Sequence, residues 1–140
     1  MDIEQLVKER IVILDGGMGT MLQRFKLEEA DFRGERFAHH ASNLQGNCDI
    51  LCFTRPDVVR SIHLDYFRAG ADMVETNTFN ANAISQAEYN MQSVVTELNI
   101  TAVKLAREAA DMAEKEDGKK RYVAGSMGPL NRTSSLASDP

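Results

Sequence analysis

I-V-I-L-D-G-G-M-G-T, residues 11–20, is the stretch from which the fold of this chain can be read. Four apolar residues, three of them β-branched, stop at an acid and a glycine pair, so residues 11–14 read as a short strand buried on both faces with Asp15 at its carboxyl end. In parallel α/β folds, ligands bind beyond the carboxyl ends of the strands. Glycines at such a place let backbone N–H groups approach an anion with no Cβ in the way. Asp15 is suited to an ammonium, and Gly16 and Gly17 offer amides to a carboxylate; together they fit the zwitterionic head of an amino acid. The same residues also fit a plain D-G turn in which Asp15 closes its own turn.

Working outward, residues 4–10 read as a short helix leading into this strand, and Met18, Met21, Leu22 and Phe25 recur at helical spacing after it. Residues 26–47 carry no period, yet Phe32 and Phe37 mark a tract that docks on the core. The apolar run 49–53 fits an extra strand or an extended part of the same excursion. A helix then starts at T-R-P-D, with Thr54 as N-cap, Pro56 in the first turn and Asp57 near the positive end of the dipole, and stops at Gly70. Residues 73–76 are a second buried strand, with Glu75, Thr76, Asn77 and Thr78 crowding its carboxyl end. Residues 80–87 make a short helix. Residues 91–116 make a long one whose apolar face is Val94, Val95, Leu98, Ala102, Leu105, Ala109 and Met112, ended by Gly118. Residues 121–125 form a third strand, leading into the turn-rich S-M-G-P-L-N-R-T. Strand and helix in alternation, with a polar cluster after each strand, is the α/β signature.

At 140 residues the chain is long enough for one domain with a real core, and 43% hydrophobic with 26% charged residues is ordinary globular composition. Sixteen basic against twenty-one acidic residues, the basic ones scattered, argue against nucleic acid or an anionic membrane as partner. No signal-peptide core or long apolar run occurs, which points to the cytoplasm. Cys48 and Cys52 form a lone C-x-x-x-C, too few ligands for zinc. The adjacent His39 and His40 lie in a polar stretch and read as solvent-exposed, and His63 falls inside a helical pattern.

The clusters D-G-G-M-G-T, D-F-R-G-E-R-F, G-N-C-D-I-L-C, E-T-N-T-F-N and V-A-G-S-M-G-P-L-N-R-T resemble, in that order, the homocysteine-binding module of the cobalamin-dependent methionine synthases, within the wider homocysteine methyltransferase family. The resemblance runs from about residue 11 to the last residue. It implies a (β/α)8 barrel of which residues 1–140 supply the N-terminal part, about three βα units, with the barrel not closed and residues 26–53 forming one long loop over the catalytic face. It implies that Asp15 takes the homocysteine amine, that Gly16 and Gly17 take its carboxylate, and that Thr76, Asn77, Thr78 and Ser126 line the same mouth.

The implied reaction is transfer of a methyl group from methylcobalamin to homocysteine sulfur to give methionine, with zinc keeping the thiol as thiolate. Zinc in that family is held by three cysteines, one late in the barrel and an adjacent pair near its end, and none has a counterpart here. Cys48 stands where the resembling sequences commonly carry asparagine, and Leu130 where threonine is common. Zinc and cobalamin are therefore expected in a full-length parent and not bound to this chain, which on its own is expected to be inactive and to carry no catalytic or metal residue. The expected partners are homocysteine, the remaining modules of the parent and, through uncovered strand edges, further copies of the chain. The S-S-L-A-S-D-P ending carries no fourth strand, so the chain reads as truncated. Alternatives are a homocysteine methyltransferase using betaine or S-methylmethionine, and an inert α/β fragment.

Overall fold

The computed structural model describes residues 2–132; the S-S-L-A-S-D-P ending lies outside them. Helix α1 (Ile3–Glu9) is capped by Asp2, whose carboxylate accepts the Gln5 N–H at 2.9 Å. Residues 11–14 follow, then α2 (Met18–Leu22), α3 (Glu29–Arg33), a 3-10 turn at Cys48–Ile50, α4 (Leu51–Thr54) and α5 (Pro56–Arg68). Strand β1 (Met73–Glu75) leads to α6 (Ala83–Gln86), the long α7 (Val95–Asp117) and strand β2 (Tyr122–Ala124). Gly70 and Gly118 sit at φ 111 and 72, the left-handed region that favours glycine after a helix.

Strand β1 is central. It pairs in parallel with β2, Met73 opposite Tyr122 and Glu75 opposite Ala124, and on its other side Leu14 joins by a single parallel bridge to Met73. Three parallel segments thus lie side by side in chain order, and the sheet they make is open. Helices α5 and α7 pack together over one face, where Phe67 and Val74 meet Ala106, Ala109, Ala110 and Ala113. Small side chains on α7 let the helix axes come close. A second cluster joins Val58, Val59 and Ile62 of α5 to Leu98, Ala102 and Leu105 of α7, with Leu44, Ile50, Leu51 and Cys52 supplied by the excursion before α5.

Several expectations are corrected. Residues 11–14 are not buried on both faces: Ile11 is 86% exposed and Ile13 54%, because β1 is their one ladder neighbour and no described element covers their other side. The Ile13 N–H is taken by the Asp72 carboxylate at 2.9 Å, which Arg10 grips through both oxygens. The 49–53 run is helical, not extended. Thr54 ends α4, and Arg55 stands at the N-cap of α5, its guanidinium bonded to Asp31 and Asp57. On α7, Met112 is exposed and Ala113 is buried, since the face advances from Ala109 by four residues. His40 is half-buried with its ring nitrogen on the Tyr89 carbonyl at 2.7 Å. His63 is buried, neither ring nitrogen has a partner among the described residues, and burial lowers its pKa to about 4.

Phe32 is buried and Phe37 packs on Phe53, so the excursion docks. Its polar hook is a reciprocal amide pair. Asn47 Nδ2 donates to Gln86 Oε1 at 2.8 Å, and Gln86 Nε2 donates to Asn47 Oδ1 and to the Asn80 carbonyl, both at 3.1 Å. Both side chains are buried. Replacing Gln86 with leucine strands two polar atoms of Asn47, and each such loss costs about 1–3 kcal/mol. Gln86→Leu is therefore expected to destabilise the chain by about 3 kcal/mol in urea unfolding, and the double variant Asn47→Leu/Gln86→Leu to recover part of that loss.

Candidate functional site

The carboxyl ends of the three parallel segments open into a cleft of about 420 Å³. Its lining includes Asp15, Gly16, Gly17, Glu75, Thr76, Asn77 and Ser126 from the strand ends, and Gly46, Cys48 and Asp49 from the excursion. Six of the seven residues singled out in the sequence meet here; Thr78 does not line the cleft.

Asp15 is placed by the ladder. Its N–H donates to the Met73 carbonyl at 3.0 Å, and its two carboxylate oxygens each accept the Glu75 N–H at 3.2 Å. Burial pushes its carboxyl up to about 6; the Glu75 N–H opposes this and the Glu75 charge adds to it. Gly16 and Gly17 follow in a tight approach to α5. Tyr66 donates its hydroxyl to the Gly17 carbonyl at 3.0 Å, and a Cβ on Gly16 would stand 3.1 Å from that hydroxyl oxygen. The Gly16 and Gly17 N–H groups have no acceptor among the described residues.

Thr76 and Thr78 are braces. Thr78 Oγ1 donates to the Ser126 carbonyl at 2.8 Å, so the proton in the 2.7 Å contact between the two hydroxyls belongs to Thr76. Thr76 Oγ1 in turn accepts the Ser126 N–H at 3.0 Å. Both hydroxyl protons are committed to holding the turn after β1 against the turn after β2. Beyond that turn Gly128 lies so close to Phe79 that a Cβ would collide with its carbonyl.

Asn77 ties β1 to the excursion, donating to the Cys48 carbonyl at 2.9 Å. Asp49, buried in the cleft wall, accepts the Asn80 N–H at 2.7 Å, and burial pushes its carboxyl up to about 6. Asp49 is a lining residue without a role in the sequence motifs; its one local signal is an acid set inside the apolar run C-D-I-L-C. Glu75 was noted in its cluster and likewise left without a role.

The cleft is thus rich in acid, and among the described residues its lining carries no lysine or arginine. It offers carboxylates to a cation and only uncharged donors to an anion, the Gly16 and Gly17 N–H groups with the Asn80 amide and the Ser126 hydroxyl also in the lining, an arrangement suited to an α-amino acid. A thiolate-bound metal does not fit the residues present. Among the described residues no three His, Cys, Asp or Glu side chains converge as a metal site. Burial pushes the Cys52 thiol up to about 12 and also raises that of Cys48, whereas metal ligation needs the thiolate. Among the described residues no helix is long and apolar enough to cross a membrane.

The profile of the homocysteine S-methyltransferase family matches residues 12–140. The homocysteine methyltransferase MmuM from Escherichia coli in its oxidized form is 28% identical, with a TM-score of 0.71 over 91% of this chain and 40% of that one. Its metallated form matches at 27% identity and a TM-score of 0.70, covering 91% and 41%. The chain therefore spans about 40% of the length of these solved structures, and its three parallel segments with their helices correspond to an N-terminal part of a (β/α)8 barrel.

Because the Asp15 carboxyl lies above its ordinary value, the folded chain disfavours the ionised form, and this cost appears as pH rises from about 4 to about 6. Asp15→Asn is therefore expected to stabilise the chain at pH 7 and to leave it unchanged below pH 4. Discounted for the half-exposed position, the gain is about 1 kcal/mol. Urea unfolding at both pH values checks it; equal effects at the two would contradict the assignment.

Proposed function

This chain belongs to the homocysteine S-methyltransferase family, and we propose that its cleft binds homocysteine as the acceptor in methyl transfer to sulfur. The observation that supports this most directly is the pairing of Asp15 with the unbonded N–H groups of Gly16 and Gly17 in an acid-rich cleft. The ammonium sits on the Asp15 carboxylate, and the two glycine amides receive the carboxylate. Tyr66, through the Gly17 carbonyl, holds that turn in place. Thr76, Asn77 and Ser126 shape the mouth, Thr78 stiffens it, and residues 26–53 close it from one side.

In a methionine synthase the methyl group comes from methylcobalamin and the thiol is held by zinc. This chain's described residues do not provide the thiolate set, so its own part is to bind and orient the amino-acid head. A second reading, with the methyl group taken from betaine or S-methylmethionine, is favoured by the likeness to the E. coli homocysteine methyltransferase structures described above. We assign the chain to the cytoplasm.

Removing the Asp15 charge removes a charge-assisted hydrogen bond worth about 1.5–3 kcal/mol. Asp15→Asn is expected to weaken homocysteine binding about ten- to a hundredfold in calorimetry. A dissociation constant within about twofold of wild type would make Asp15 a turn former only.

The two outer edges of the sheet, at residues 11–14 and at β2, accept either further strands of a longer chain or a second copy. Ile11, Ile13 and Leu14 lie exposed along the first. The polypeptide alone is expected to self-associate in sedimentation across a wide concentration range; a monomer with cooperative unfolding at every concentration would contradict this.

A further inference from the structure

We infer that Glu75 is a second anchor for the substrate's α-ammonium, set beside Asp15 by the strand register, so that the cleft selects a free charged amine. The inference rests on the homocysteine assignment of the cleft.

Its basis is placement. Val74 is buried beneath α5 and α7, so alternation along β1 sends the Glu75 side chain to the opposite face, toward the cleft that it lines. The Glu75 N–H is already on the Asp15 carboxylate, at 3.2 Å from each oxygen, which fixes the two acids as neighbours. Glu97, Glu108 and Glu116 are paired with Arg36, Arg60 and Arg68, whereas Glu35 and Asp65 are exposed without an ion pair among the described residues, so it is the position of Glu75 in the cleft beside Asp15 that sets it apart. The Glu75 carboxylate has no hydrogen bond or ion pair among the described residues. Among the described residues the titratable groups facing the cleft are Asp15, Glu75, Asp49 and Cys48, and none is basic.

Two adjacent carboxylates with no cation between them repel. An ammonium carries three N–H donors and one positive charge, so it can bond to both acids and relieve the repulsion. The same molecule without its amine would bring only its own carboxylate to an acidic mouth. Selection for the amine then comes from both attraction of the right ligand and repulsion of the wrong one.

Titration calorimetry with homocysteine and with its deaminated analogue 4-sulfanylbutanoate, between about pH 5 and pH 8, tests this on the wild type, Asp15→Asn, Glu75→Gln and Glu75→Asp. Glu75→Gln keeps the side-chain length and the backbone bond to Asp15 and removes only the charge. It is expected to weaken homocysteine about three- to tenfold, to leave 4-sulfanylbutanoate no weaker, and to move the pH midpoint of homocysteine binding down, because Asp15 loses a like-charged neighbour. Glu75→Asp, which keeps the charge, is expected to restore part of the affinity. Homocysteine binding that Asp15→Asn weakens, but that Glu75→Gln leaves unchanged in strength and pH midpoint, overturns the Glu75 inference alone. Equal weakening of both ligands overturns it as well. No homocysteine binding by the wild type overturns the assignment of the cleft, and the inference with it.

Discussion

The structure depends on β1 being hydrogen-bonded on both sides. The Ile13 carbonyl accepts the N–H groups of Asp72 and Met73, and Asp15 returns a bond to the Met73 carbonyl. On the far side Tyr122 N–H meets the Asp72 carbonyl and Thr76 N–H meets the Ala124 carbonyl. With backbone groups satisfied in this register, the carboxyl ends of the three segments come level. Asp15, Glu75, Thr76 and Ser126 then face one space, although they lie as far apart in sequence as residues 15 and 126. A slip of one residue would turn Glu75 under the helices and Val74 toward the cleft. Arg10 and Asp72 resist such a slip, since the carboxylate that accepts the Ile13 N–H is itself held by a guanidinium that keeps it at about 2.

Around the cleft, polar contacts fasten the excursion before α5 to this frame. Asn77 bonds the Cys48 carbonyl, Asp49 bonds the Asn80 N–H, and Asn47 pairs with Gln86. Each contact joins the excursion to the β1–α7 connection. Leu44, Ile50 and Leu51 bury the apolar side of the same segment. The wall of the cleft is therefore as firmly placed as its floor, and Asp49 is carried into it as part of a hydrogen-bonded hinge point rather than on a free loop.

Much of this was legible in the sequence because alternation of strand and helix is written locally, in apolar runs stopped by glycine and acid. The D-G-G turn, the E-T-N-T cluster and the Gly118 cap needed only neighbours a few residues away. What failed needed distant partners. Burial of residues 11–14 depends on what lies across the sheet, which their own β-branched pattern does not record. Thr54 has the right side chain for an N-cap, but Arg55 takes the position because Asp31, 24 residues upstream, and Asp57 hold its guanidinium. Asp49 stands at the start of an apolar run, and its meaning rests on a bond to Asn80, 31 residues on.

The site's electrostatics give the cleft its direction. Thr76 spends its hydroxyl proton on Thr78 and Thr78 spends its own on the Ser126 carbonyl, so they stiffen the mouth without adding a donor for an anion. The remaining donors, the fixed N–H groups of Gly16 and Gly17 with the Asn80 and Ser126 side chains, are uncharged, while the acceptors include carboxylates held where burial resists their ionisation. A cationic head group restores a favourable charge balance that the empty cleft lacks, and so gains more than its contacts alone would supply. An anion brought without that cation meets carboxylates and gains only uncharged donors. The head-group preference we propose thus follows from which charges the fold leaves unpaired.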